Sequence, residues 1–157
     1  MIKEGVFHEV SMMVTEKDTA EALADSIGGE FPAVYATSKM IALMELSAAN
    51  LLIPQLSPGE LSVGVGVNIT HMAATPVGEE VTAKATFLGM EDRLYKFKVE
   101  VSDRGGVIGK GIHTRAIVEV AGLWRVLRNA LRNVGNIRYR VTITFALDVN
   151  RYTILVR

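Results

Sequence analysis

The stretch Ala36 to Pro54, ATSKMIALMELSAANLLIP, decides the fold. From Met40 to Ile53 it is apolar on nearly every face, which marks a helix enclosed by the rest of the chain rather than one lying on its surface. Thr37 or Ser38 offers an N-cap hydroxyl, and Pro54 closes the other end. One carboxylate interrupts the run, Glu45, between Met44 and Leu46. Ionised and unpaired, it would cost several kcal/mol to bury. It therefore has a partner, or a raised pKa, or a pocket to line.

Composition bounds the rest. A chain of 157 residues is long enough to bury a real core and is first read as one domain. Formal net charge is zero, which argues against nucleic acid as a partner. There are no cysteines, so disulfides, thiolate nucleophiles and Cys-based zinc sites drop out together. His8, His71 and His113 show no ligand spacing, so no metal is expected. No basic-then-apolar leader opens the chain, and its longest apolar run is too short to span a bilayer. A cytoplasmic protein without membrane contact is the expectation.

The charge is unevenly spread. Residues 1–122 carry ten basic and sixteen acidic side chains, net −6, and residues 123–157 carry seven Arg and one Asp, net +6. Gly122 is read as a boundary between a domain over 1–122 and an Arg-rich extension over 123–157.

Outward from the helix, Val6 to Thr15 is a strand candidate, and Glu16 to Ile27 a short helix or irregular arm ended by Gly28-Gly29. Pro58-Gly59 marks a turn. In Leu61 to His71, Val63, Val65, Val67, Ile69 and His71 share one face, opposite Ser62, Gly64, Gly66, Asn68 and Thr70. Thr75-Pro76-Val77-Gly78 breaks that strand. Val81 to Met90, Leu94 to Ser102 and Val107 to Val120 follow as strands, joined by turns at Glu91-Asp92-Arg93 and Asp103-Arg104-Gly105-Gly106. His113, Arg115 and Ile117 share a face of the last. A strand, a buried helix and four consecutive hairpin-linked strands describe an α+β fold, an antiparallel sheet wrapped around one long central helix. Gly64-Val65-Gly66-Val67-Asn68-Ile69 lacks the third glycine of a dinucleotide-binding turn.

Several blocks together carry a resemblance over roughly Glu30 to Val120. They are Phe31-Pro-Ala-Val-Tyr-Ala-Thr37, Met44-Glu45, Ser62-Val63-Gly64, His71-Met-Ala-Ala-Thr-Pro-Val-Gly78 and Gly111-Ile-His-Thr-Arg115. The chain resembles hotdog-fold acyl-CoA thioesterases, most closely the fluoroacetyl-CoA thioesterase-like family. That resemblance implies a hotdog fold, an acyl-CoA substrate, no separate cofactor, a homodimer or higher homo-oligomer, and a catalytic group formed by Thr37, Glu45 and His71. It also implies roles for Gly64 and Arg115 in the acyl or CoA pocket and for Phe31 at its mouth.

Each residue has a plainer reading. Glu45 could pair structurally with Arg115, His71 could be a satisfied core histidine, Thr37 a cap, and Gly64 a point of strand curvature. As chemistry, a glutamate desolvated among Met and Leu would be raised in pKa and suited to act as base or nucleophile. His71 would serve the leaving thiolate, Thr37 would orient water, and backbone N–H groups at the helix start or at Gly64 would meet the oxyanion. Thr37 and Glu45 lie eight residues apart, about 12 Å along one helix. One chain therefore does not bring both to one carbonyl, and a site at a homodimer interface follows.

Two other function classes stand beside the thioesterase. A hydratase or dehydratase would show an Asp and His pair near the helix start, where this chain has neither. A non-catalytic acyl-CoA-binding module could dispense with Glu45. Beyond Gly122, Leu123 to Val134 has a helical apolar stripe, and Arg138 to Arg157 alternates as a possible hairpin about Asp148-Val149-Asn150.

Overall fold

A computed structural model describes residues 2–133. The chain divides into two compact units, Met1–Val120 and Ala121–Arg157. The first opens with strand β1 (Phe7–Met13), a 3-10 turn over Glu16–Asp18 and helix α1 (Glu21–Ile27). Gly28, at φ 74°, caps α1 in a backbone conformation that favours glycine. Helix α2 (Thr37–Leu52) follows, then strands β2 (Glu60–His71), β3 (Glu80–Glu91), β4 (Leu94–Asp103) and β5 (Gly106–Glu119).

The five strands form one antiparallel sheet in the order β1-β3-β4-β5-β2, and α2 packs against all five. The expected α+β hotdog arrangement, a sheet around one long helix, is what the chain adopts. Met40, Met44, Ala48 and Leu52 of α2 are fully or almost fully buried against Val81, Ala83, Ala85, Phe97, Val99 and Val101. Each large side chain so buried contributes about 1.5–3 kcal/mol. Ser47 fixes the helix to the sheet by hydrogen bonds. Its hydroxyl donates to the His8 carbonyl at 2.7 Å and accepts the Ala85 N–H at 3.1 Å.

Three expectations need correction. The helix is not enclosed all round, because Ala42 and Leu46 are exposed and Glu45 is partly so. Its buried stripe, Met40, Leu43, Met44, Ser47, Ala48, Leu51 and Leu52, is the one helical face that meets the sheet. Neither Thr37 nor Ser38 is the cap, since Ala36 holds the N-cap position and no side chain bonds there. Nor are the four strands after α2 all linked by hairpins. β3–β4 and β4–β5 are, but β2 pairs with β5 at the far edge while β3 lies between β1 and β4. The link after β2 is tied down by Thr75, whose carbonyl accepts the Tyr35 N–H and whose hydroxyl donates to Asp103, both at 2.8 Å.

The second unit begins in helix α3 (Val120–Asn133), whose first turn contains Gly122. The hairpin expected over 138–157 lies outside the described residues. None of the described helices is long and apolar enough to cross a membrane.

Candidate active site

The face assignment of β2 decides the site, and strict alternation gets it wrong. A bulge at Val65 shifts the register between Gly64 and Gly66, so that Gly64 pairs with Arg115 while Val67 pairs with His113. One extra residue in the pleat turns Ser62 and Gly64 to the same side as Val67, Ile69 and His71, the side that carries α2. The two glycines flanking the bulge are its trace in the sequence.

At the start of α2, the Thr37 hydroxyl lies 2.9 Å from His71 Nδ1, at the end of β2. His71 Nε2 is buried and has no hydrogen-bond partner among the described residues. With no side chain capping α2, the backbone N–H groups of its first turn are left available at the same place.

Glu45 belongs to a second cluster, two helical turns further on. Its Oε1 stands 3.7 Å from His113 Nε2 and 3.8 Å from Arg115 Nη1, and its side chain is 40% exposed. A β-carbon on Gly64 would run into the Glu45 carboxylate, so glycine is what admits the side chain here. The dry setting expected for Glu45 among Met and Leu is therefore absent in the single chain. Its carboxylate points across the open face of α2 into a polar corner.

Arg115, only 6% exposed, is held by Ser62. Its Nε donates to the Ser62 hydroxyl at 3.2 Å and its Nη2 to the Ser62 carbonyl at 2.9 Å. Its Nη1 reaches the Glu45 carbonyl at 3.4 Å and His113 Nε2 at 3.2 Å. Burial lowers its pKa, and the neighbouring Glu45 carboxylate pulls the other way. Phe31 stands apart from both clusters, exposed on the segment after Gly29 with its ring beside that glycine.

Thr37 and His71 are thus brought together, as are Glu45, Gly64 and Arg115, but the chain does not join the two groups. His113 is the site residue that sequence reasoning left out. It is 1% exposed, and its Nδ1 lies 2.9 Å from the Gly66 carbonyl. Its place two residues before Arg115 on one strand face was the available signal. A shallow depression of about 480 Å³ on the outer face of the sheet, lined by Asn68, Lys98 and Lys110, contains none of these residues.

Comparison with known proteins gives the family of the fold. The family model described as fluoroacetyl-CoA-specific thioesterase matches residues 14–121. A fluoroacetyl-CoA thioesterase from Streptantibioticus cattleyicolor is 41% identical over 91 residues, 58% of this chain and 66% of that protein. The chain thus spans just under two thirds of that relative. A solved structure of the fluoroacetyl-CoA thioesterase FlK superposes with a TM-score of 0.77 at 32% identity, covering 82% of this chain and 97% of the other. A hot-dog-like protein from Thermanaerovibrio acidaminovorans, 20% identical, shares the fold alone, with a TM-score of 0.67 over 86% of this chain and 94% of its own. On the match over 14–121 and the shared architecture, this chain belongs to the fluoroacetyl-CoA-specific thioesterase family, hotdog-fold hydrolases of thioesters.

Proposed function

We propose that this protein is an acyl-CoA thioesterase that hydrolyses a short acyl thioester at sites shared between two copies of the chain. The observation that carries this reading is the division of the candidate residues. Thr37 and His71 meet at 2.9 Å, while Glu45, eight residues along the same helix, stands partly exposed in a separate cluster with His113 and Arg115. Eight residues of helix is about 12 Å, too far for both groups to act on one carbonyl carbon within a chain.

A second copy supplies the missing half. The open stripe of α2, with Ala42, Glu45 and Leu46, lies on the side of the sheet bordered by edge strand β2, where Val65 and Val67 are exposed. Burying such a face in a homodimer brings Glu45 of one copy toward Thr37 and His71 of the other. It also excludes water from the partly exposed Glu45 carboxylate.

In the mechanism, the thioester carbonyl oxygen takes up negative charge against backbone N–H groups at the start of α2 or at Gly64. Glu45 either takes a proton from the water that attacks the carbonyl carbon or attacks it directly. In the second case water then cleaves the acyl-glutamyl anhydride to release the acid and restore the carboxylate. Thr37 orients the attacking group, and His71 supplies a proton as the carbon–sulfur bond breaks and CoA leaves as its thiol. Arg115 and Gly64 shape the acyl site, and Phe31 stands at its mouth. CoA enters as part of the substrate, so no separate cofactor is required, and the cytoplasm, where acyl-CoA is found, is the proposed compartment.

The relatives' fluorinated substrate is not assigned to this chain, because acyl preference depends on the depth of the assembled pocket. The test is a panel of acyl-CoA thioesters with Glu45→Gln as control. Wild-type turnover of a short acyl-CoA and a loss of about 100-fold or more in the variant support the reading. Binding of acyl-CoA without turnover by the wild type would instead mark a non-catalytic module.

A further inference from the structure

His113 has no assigned role, yet its two ring nitrogens face groups that fix its chemistry. The Gly66 carbonyl, 2.9 Å from Nδ1, can only accept a hydrogen bond. The Arg115 guanidinium, 3.2 Å from Nε2, can only donate one. Both contacts are satisfied at once by a single form of the ring, the neutral imidazole with its proton on Nδ1 and a bare Nε2. The burial of His113 favours the uncharged ring first. The Gly66 bond and the Glu45 carboxylate oppose this and the Arg115 charge assists it, with the pKa lowered as the net result.

The consequence falls on Glu45. Arg115 Nη1 is shared between His113 Nε2 and the backbone carbonyl of Glu45, and the Glu45 carboxylate, at 3.8 Å, lies outside hydrogen-bond reach of it. Nor does His113 bond the carboxylate, since the facing atoms at 3.7 Å are both acceptors in the neutral ring. The Nε2 lone pair thus occupies the N–H that would otherwise tighten the 3.8 Å ion pair with the partly exposed Glu45 carboxylate into a hydrogen-bonded one.

We propose that His113, as the neutral Nδ1–H imidazole, is a positioning residue that draws Arg115 away from Glu45 and keeps that carboxylate free to act. A side chain there without an acceptor releases Arg115 Nη1 to the carboxylate. A protonated ring also locks it, by donating from Nε2. The charged groups facing the ring are Glu45 from α2 and Arg115 from β5. This inference rests on the proposed catalytic role of Glu45.

The test compares His113→Asn, which keeps an N–H near Gly66 but whose shorter amide places no acceptor at the Nε2 position, with His113→Gln, whose amide oxygen reaches toward Arg115. Glu45→Gln is measured in parallel on the same acyl-CoA. We expect kcat to fall about tenfold or more in His113→Asn with KM moved less than about threefold, and substantial recovery in His113→Gln. Nitrogen chemical shifts of His113 in the intact wild-type chain give an independent readout, with a protonated Nδ1 and a bare Nε2 expected at neutral pH. Wild-type kcat in His113→Asn beside an impaired Glu45→Gln would overturn this inference alone. A proton on Nε2 would overturn it even where the Asn variant failed to fold. Unchanged turnover in Glu45→Gln would overturn the proposed function, and this inference with it.

Discussion

The Thr37 hydroxyl and His71 Nδ1 lie 2.9 Å apart across 34 positions of sequence, joining the first turn of the central helix to the last residue of the edge strand. α2 begins without a side-chain cap because Ala36, which has no polar side-chain atom, holds the N-cap position. Thr37, the first residue inside the helix, is thereby left to turn its hydroxyl to the imidazole.

Replacing Thr37 by Ala therefore removes a group that acts on His71 and leaves the helix start energetically unchanged. We expect kcat/KM for acyl-CoA hydrolysis to fall about 10- to 100-fold, with thermal stability altered by less than about 1 kcal/mol. Thr37→Ser, which retains the hydroxyl, restores most of the activity. A helix melting much earlier in the Ala variant would return Thr37 to the role of a cap.

Gly64→Ala places a methyl group on the Glu45 carboxylate and 3.3 Å from His113 Cε1. Because the atom displaced is the mobile end of a partly exposed side chain, folding tolerates it at a cost of about 1 kcal/mol or less. A carboxylate moved by roughly an ångström is out of line for its chemistry, so kcat drops by about 100-fold. Thermal melts and steady-state rates on one preparation separate the two effects.

Ser47 connects the helix to two strands only two residues from Glu45. Ser47→Ala removes its bonds to the His8 carbonyl and the Ala85 N–H, at an expected cost of about 1–2 kcal/mol in urea unfolding. A change below a few tenths of a kcal/mol would mean that the two backbone groups pair directly once the hydroxyl is gone.

Tyr35 governs an alkaline limit. Burial, and secondarily the charge of Asp18, push its phenol up to about 12, and its side chain is 1% exposed. The fold thus holds the neutral phenol, whereas the unfolded chain ionises near pH 10. The stability tied to this group is complete below about pH 10 and is lost as pH rises toward 12, by up to about 2–3 kcal/mol. Unfolding titrations across that window should show the slope in the wild type and its loss in Tyr35→Phe.

The fold was largely legible because its signals are local and repeated. Tyr95, Phe97, Val99 and Val101 alternate in β4, and turns at Asp92 and at Gly106, with φ of 55° and 118°, fall where Asp and Gly mark them. What escaped was relational. The position of β2 beyond β5 follows from long-range pairing that no short window records. The bulge at Val65 reverses a face that alternation alone assigns confidently and wrongly. Glu45 reads as buried because its neighbours in sequence are apolar. In space it occupies the edge of the apolar stripe, and only the single chain's open face reveals it. His113 was missed because its significance lies in what Arg115 and Gly66 present to it.

The central claim is that Thr37 and His71 of one copy work with Glu45 of another, and mixing two inactive variants tests it most directly. Thr37→Ala and Glu45→Gln chains, each deficient alone, are unfolded and refolded together in equal amounts. Random pairing gives half mixed dimers, each with one intact site, so about a quarter of wild-type activity should return. Activity in the mixture no higher than in either variant alone, with mixed dimers demonstrably present, would contradict a site shared between chains.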